Sequence, residues 1–207
     1  MDYTNTMNSL RAAAPATGDA RTGSYRPRLS FYHPNAKGTG CAVQLELHPA
    51  HDDVGGSLML FAASQSAIGN RQGPNPTYAR FDWENKICVK LDFNDLCQFL
   101  LVFRGAAEAA NDGRGMFHRS PRGTTRIVLK HLVEPVAGYS LELYRTSADG
   151  QGESRAHILL TDAEAHGLCE AIAGSMAVIA FGLPVVIPHD TSAYREKVRE
   201  VRNANAA

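Results

Sequence analysis

The sequence predicts an α+β protein in which four strands and a helix are followed by four more strands and a second helix. Three observations predict this order. Short segments alternate apolar with polar residues, as half-buried strands do. Links rich in Gly, Pro, Asn and Asp separate these segments and favour mostly antiparallel pairing. In each half the alternation then gives way to the spacing of an amphipathic helix.

The first half contains four strands, of which three alternate and one, at 58–63, is an apolar run. They are predicted at Arg28–His33, at Cys41–His48, at 58–63 and at 80–91. In the last of them the alternation turns Phe81, Trp83 and Ile87 toward the interior and turns Lys86 and Lys90 away from it. Trp83 is therefore expected in the core or in an interface.

The two helices are predicted from their ends as well as from their spacing. Asp92 is a good N-cap for a helix that Gly105 ends. The second half repeats the plan with strands at 116–118, 125–133, 139–146 and 155–160. Thr161 and Glu164 then form a capping box that opens a helix ending at Gly182.

The chain of 207 residues is expected to fold as one domain with two flanking segments. Residues 1–24 are small and polar and are expected to be a disordered N-terminal arm. The domain itself is predicted at 25–184. Residues 185–207 form a C-terminal tail in which a short charged helix is an option.

The location predicted from the sequence is the cytoplasm. No apolar run is long enough to cross a membrane, and the first residues lack the pattern of a secretory signal. The N-terminal segment contains Arg11 and Arg21, so an organellar transit peptide is a weaker alternative. The four cysteines lie in or beside apolar runs, which favours buried, reduced thiols over disulfide or metal use.

Motifs of catalysis do not occur in the sequence. It lacks a nucleophile elbow, a phosphate-binding Gly-Lys-Ser/Thr loop and a dinucleotide glycine pattern. His48, His51 and Asp52 are close enough to suggest a metal site, but a polar turn explains them more simply. We therefore expect neither an enzyme nor a cofactor, metal or small-molecule substrate.

Charge is unevenly distributed although the formal net charge is zero. Residues 113–133 contain no acidic residue but five basic ones: Arg114, Arg119, Arg122, Arg126 and Lys130. Such a segment can present a basic surface on a neutral protein, although a locally unbalanced solvated face is the simpler explanation.

Several short motifs follow one another in order along the chain. Phe81-Asp82-Trp83-Glu84-Asn85-Lys86 resembles the Tyr-Asp-Trp-Glu-x-Lys signature of the whirly family of single-stranded-DNA-binding proteins. A Leu-Met-Leu-Phe-Ala run precedes it at 58–62, and Met116-Phe117-His118 resembles the family's Phe-Phe-His. The resemblance covers roughly residues 26–184.

This resemblance implies two packed four-stranded antiparallel sheets, each followed by a helix, in a homotetramer. It implies binding of single-stranded DNA with little sequence preference, for protection or annealing, in a bacterial or phage member of the family. RNA is the alternative ligand, because related proteins bind guide RNA. The family's Lys-Gly-Lys-Ala segment and acidic-aromatic tail are not matched here, so higher assembly and a regulatory role are not carried over.

The predicted nucleic-acid-binding residues combine cations for phosphates with flat side chains for bases. They are Arg28, Tyr32, Lys37, Lys86, Lys90, Phe117, His118, Arg119, Arg122, Arg126 and Lys130. Tyr144 is a further aromatic candidate. A β-rich scaffold that binds protein instead of nucleic acid is the competing hypothesis.

Overall fold

Two antiparallel sheets, each followed in the chain by a helix, make up residues 28–48, 54–70, 72 and 74–183, which the computed structural model describes. The predicted α+β fold and its order of elements are confirmed. The predicted arm at 1–24 and tail at 185–207 lie outside the described residues.

The first sheet is built from five strands but is four strands wide. They are β1 (Arg28–His33), β2 (Cys41–His48), β3 (Ser57–Ala67), β4 (Arg80–Phe81) and β5 (Ile87–Leu91). β4 and β5 pair with successive stretches of β3, on the side away from β2. The sheet therefore keeps the predicted width of four strands, and two short strands share its fourth position.

The division of that last strand corrects the prediction of one strand at 80–91. Its cause is a side-chain turn in which the Asp82 carboxylate accepts hydrogen bonds from the backbone amide of Asn85 at 3.1 Å and from its side-chain amide at 2.8 Å. Ile87 is buried as predicted, but Phe81 and Trp83 are only half-buried and lie outside the core cluster.

The second sheet follows the predicted strands closely. It consists of β6 (Met116–Ser120), β7 (Gly123–Leu132), β8 (Gly138–Ser147) and β9 (Glu153–Leu160), paired in that order. Gly123 begins β7 with φ +131°, and a Cβ there would lie 2.0 Å from the carbonyl oxygen of Thr146. Only glycine fits that close approach of two strands.

The helices are α1 (Phe93–Phe103) and α2 (Asp162–Ala180), and both begin where predicted. Asp92 with Asp95, and Thr161 with Glu164, form complete capping boxes at their N-termini. One apolar core joins the inner faces of both sheets to both helices; among its fully buried members are Phe99, Leu60, Ile127, Leu141, Leu168 and Ile172.

The cysteines only partly follow the prediction of buried thiols. Cys41 and Cys169 are buried, Cys97 is half-buried, and Cys88 is exposed. Cys88 alternates with Ile87 and Val89, so its side chain leaves the sheet on the face away from the core. Neither of the two helices combines the length and apolarity that crossing a membrane requires.

Candidate nucleic-acid interface

A line of four side chains crosses the outer face of the second sheet, with one contribution from each strand. Phe117 pairs with Arg126, Arg126 with Tyr144, and Tyr144 with Arg155. We call these four residues the cross-strand row. Because neighbouring strands lie about 4.8 Å apart, the row spans roughly 14 Å. Aromatic rings and guanidinium groups alternate along it.

Tyr144 is the centre of this row and is flanked by two cations. The guanidinium carbon of Arg126 lies 4.7 Å from the ring centroid, and that of Arg155 lies 5.2 Å from it. Both distances are within the range of cation–π attraction. The three side chains therefore stabilise one another on the outer face of the sheet.

Glu142 anchors this arrangement from the same face of β8. The Tyr144 hydroxyl donates a hydrogen bond to its carboxylate, and Arg155 Nη2 donates another at 2.7 Å. Burial acts to raise the pKa of Glu142, but these two hydrogen bonds outweigh it and lower the pKa overall. The carboxylate stays ionised and fixes the ring and the guanidinium in place.

Phe117 stands at the open end of the cross-strand row. Its side chain is 63% exposed, whereas its neighbour Met116 is buried in the core. The alternative that Phe117 belongs to the apolar interior is therefore wrong. Arg119 and Lys130 are exposed on the same face by the alternation of β6 and β7, so the structure brings these predicted residues together around the row.

The outer face of the first sheet carries a second group of predicted residues. Arg28, Glu46, Met59 and Lys90 are successive cross-strand neighbours, with the two cations exposed at the two edges. The Lys86 ammonium lies 5.2 Å from the centroid of the Phe61 ring on this face.

An aromatic group covers the end of this outer face. The ring of Tyr32 lies 5.6 Å from that of Phe81 and 6.4 Å from that of Trp83, both tilted or edge-on. Tyr32 is in register with Ala42 and Ala63, which are fully buried although neither belongs to the apolar core cluster. Trp83 therefore belongs to this exterior group and not to the core, while its place in an interface stays a prediction.

Basic residues of the two sheets come within electrostatic reach of one another near Cys88. Burial raises the pKa of the Cys88 thiol, while the positive charges of Lys86, Arg122 and Arg145 act to lower it. Lys86 belongs to the first sheet, whereas Arg122 lies in the β6–β7 hairpin and Arg145 in β8. The predicted residues Lys86 and Arg122 are thus joined by a third cation that the prediction omitted.

Lys37 is exposed on a turn that side-chain hydrogen bonds define. The Asn35 carboxamide oxygen accepts from the backbone amides of Lys37 and Thr39, each at 3.0 Å. Gln65 then accepts from the amides of Asn35 and Gly40, at 2.9 and 3.1 Å. Lys37 is therefore held by its backbone at the rim of the first sheet, separate from the cross-strand row.

His118 does not share a face with Phe117, although both were predicted to bind. Its side chain points toward the start of α1, where Nε2 is buried 3.3 Å from a carboxylate oxygen of Asp95. The contact is an ion pair rather than a well-aligned hydrogen bond. Interaction with Asp95 raises the pKa of His118, and burial only partly opposes this. The geometry gives His118 a structural contact between β6 and α1.

These sheets and helices place the chain in a known structural class, the two-sheet α+β fold of the plant Whirly proteins. The structure of WHY1 from Arabidopsis thaliana matches with a TM-score of 0.59 and 14% identity, over 88% of this chain and 94% of that one. WHY3 from Arabidopsis thaliana matches with a TM-score of 0.58 and 16% identity, over 86% and 97%.

A plant transcriptional regulator, PBF-2, is also similar in structure, with a TM-score of 0.55 and 18% identity over 76% of this chain and 84% of that one. No family model matches the sequence, and no curated protein matches it either. At these identities the comparisons establish the fold.

Arg155 in the cross-strand row and Arg145 near Cys88 are the main basic residues that the sequence prediction missed. Each pairs with a residue on a neighbouring strand, Arg155 with Tyr144 and Arg145 with Thr125. Alternation in β9 does indicate that Arg155 faces outward. The aromatic partner of Arg155 depends on the register between strands, which alternation does not specify.

Proposed function

We propose that this protein binds single-stranded nucleic acid with little sequence preference, mainly through the outer face of its second sheet, and that it acts by binding rather than catalysis. The observation that carries the proposal is the cross-strand row. Its two rings can stack with bases, and its two guanidinium groups can contact phosphates or stack in turn.

The chemistry of this face favours a single strand over a duplex. In a duplex the base faces are stacked on one another, so aromatic side chains on a sheet cannot reach them. A single strand exposes both its bases and its phosphates. Every base has a flat face and every nucleotide a phosphate, so a surface of rings and cations accepts most sequences.

The fold supports the same conclusion. The motifs around Trp83 and Phe117 resemble those of the whirly family of single-stranded-DNA-binding proteins, and the sheets and helices match those of WHY1 and WHY3. PBF-2, a transcriptional regulator, shares the arrangement. We favour DNA as the ligand. RNA is the alternative ligand, and the binding experiment below includes both.

We further propose that the protein works as a homotetramer assembled through α2. Small side chains are exposed along this helix at Ala171, Gly174 and Ala177, and Phe181 at its end is 78% exposed. Small residues let helices approach closely, and an exposed phenyl ring gains from burial. Light scattering at micromolar concentration should give four times the mass of the chain; a monomer would exclude this assembly.

Fluorescence anisotropy with labelled single-stranded DNA, double-stranded DNA and single-stranded RNA tests the proposal. We expect the single strands to bind and the affinity to fall with salt, because phosphate contacts release counterions. Arg126→Ala should weaken binding to all sequences alike and reduce the logarithmic salt slope by about 0.7, the value for one phosphate contact on a single strand.

Arg114→Ala is the matched control for this experiment. The Arg114 side chain is 73% exposed and forms an ion pair with Asp112 in the turn before β6, and it is not part of the cross-strand row. If Arg126→Ala and Arg114→Ala bind equally well while both are folded, the second sheet is not the interface. If no oligonucleotide binds at any salt concentration, the protein-binding scaffold becomes the better hypothesis.

A further inference from the structure

A crevice of about 260 Å³ opens where the 82–86 turn of the first sheet faces β9, the edge strand of the second. Its polar lining comes from Ser64, Asp82, Asn85, Ser154 and Arg155, and its floor from buried alanine and isoleucine side chains. A water molecule takes up about 30 Å³ of liquid, so the crevice has the volume of roughly eight waters. That is comparable to one nucleobase.

The crevice adjoins the proposed interface, because Arg155 belongs to both. Its side chain packs over Tyr144 in the cross-strand row and also lines the crevice. A strand lying along the row can therefore turn one base into the crevice while its neighbours remain on the sheet. This inference rests on the proposed function and adds a base-reading site to it.

The polar groups of the crevice suit a base rather than a phosphate. Asp82 is ionised, since hydrogen bonds from Asn85 lower the pKa of its carboxyl, and a carboxylate repels a phosphate. As an acceptor without a proton to donate, it selects the amino group of a base. Each carboxylate oxygen can accept two hydrogen bonds, so Asp82 retains acceptor capacity beyond its bonds to Asn85.

Arg155 supplies the complementary half of the recognition. A guanidinium only donates hydrogen bonds, so it selects a carbonyl oxygen. On its pairing edge guanine carries an amino group, a ring N–H and a carbonyl, so it offers the carboxylate two adjacent donors and the guanidinium an acceptor. Cytosine and adenine lack the ring N–H, and thymine and uracil lack the amino group. We infer that this crevice binds one guanine base of the bound strand and gives an otherwise tolerant binder a modest preference.

The test uses the full chain and a 12-nucleotide oligo-dT in which one central thymine is replaced by cytosine, guanine, adenine or hypoxanthine. We expect guanine to tighten binding about tenfold over thymine, the low end for one additional hydrogen bond to a charged group. Cytosine and adenine should gain less. Hypoxanthine, which is guanine without its amino group, should lose most of the guanine gain.

Two variants of Ser154 separate the crevice from the sheet face. Ser154 is exposed on β9 and takes no part in the Asp82 turn. Ser154→Leu fills the crevice and should abolish the guanine preference while oligo-dT affinity stays within about twofold. Ser154→Ala leaves the space open and should keep the preference. Asp82→Asn, which retains an oxygen for the turn, should reduce it.

The outcomes distinguish this inference from the proposed function. Equal binding of all five oligonucleotides, at measurable affinity, overturns the crevice and leaves single-strand binding intact. A preference that persists in Ser154→Leu also overturns it, because the base is then read elsewhere. An absence of binding to every oligonucleotide overturns both.

Discussion

Phe117→Ala separates stacking from packing better than any other single change, because the ring is so exposed. Truncating a fully buried phenylalanine costs about 3–5 kcal/mol of stability. Phe117 is 63% exposed, so roughly a third of that cost applies, about 1–1.7 kcal/mol. Loss of one stacked base costs about 1–3 kcal/mol of binding free energy, which is about 5- to 150-fold in Kd. Affinity should therefore fall further than stability.

The assay pairs urea unfolding with anisotropy on the same oligo-dT, and Phe93→Ala is the control. Phe93 has the same side chain and is 46% exposed, but it belongs to the first turn of α1 and not to the cross-strand row. We expect this control to lose at least as much stability and to bind normally. If Phe117→Ala lowers the free energy of unfolding by 3 kcal/mol or more while affinity is unchanged, the stacking argument is wrong.

Three further predictions concern stability. Because the pKa of His118 is raised, the stability from its charge is fully present below about pH 6.5 and is lost as pH rises through the folded pKa. The free energy of unfolding in urea should fall over this range in the wild type and change less with pH in His118→Gln. Identical pH dependence in the two proteins would refute the linkage. Gln65→Ala removes a buried amide that makes four hydrogen bonds, to the neighbouring turn and to β3. The free energy of unfolding should therefore drop by about 2–4 kcal/mol. A drop below about 1 kcal/mol would contradict this role. Gly123→Ala leaves no room for its Cβ and should prevent folding as judged by circular dichroism. Gly150→Ala, where a Cβ meets open space, should cost only about 1 kcal/mol of stability. Equal stability of these two variants would show that β7 and β8 can move apart at Gly123.

The parts of the fold that were predicted correctly are those with local signals. The capping boxes at Asp92 and Thr161 involve residues three apart, so the sequence contains both partners of each. The strands of the second sheet alternate, apart from the buried apolar run 127–129 in β7, and are separated by clear turns, and all four were placed correctly. Such elements can be predicted without knowing what they pack against.

The errors arose where a side chain overrides the pattern. Alternation through 80–91 is interrupted at Asn85, a polar residue that occupies an inward position between Trp83 and Ile87. The Asp82 carboxylate accepts hydrogen bonds from Asn85, and the chain turns there. Trp83 consequently leaves the inner face on which alternation placed it. One polar residue is a weak signal for such a turn, because Asn also occurs within strands.

The candidate site was predicted as a set of residues but not as an arrangement. Phe117 and Arg126 were both expected to bind, yet their pairing and the position of Tyr144 beside them follow from the register of β6, β7 and β8. Register is fixed by contacts between segments that are far apart in the chain. His118 was grouped with Phe117 as its neighbour in sequence, and adjacent strand residues point to opposite faces.

Trp83 has a practical consequence, because it is the only tryptophan among the 207 residues. Its indole is half-buried and edge-on to Tyr32, within the turn that also forms one wall of the crevice. The emission of this one fluorophore therefore comes from a single, defined place on the outer surface. A base entering the crevice should quench or shift that emission in the unlabelled protein, and excitation at 295 nm would follow ligand arrival by stopped flow on the millisecond scale.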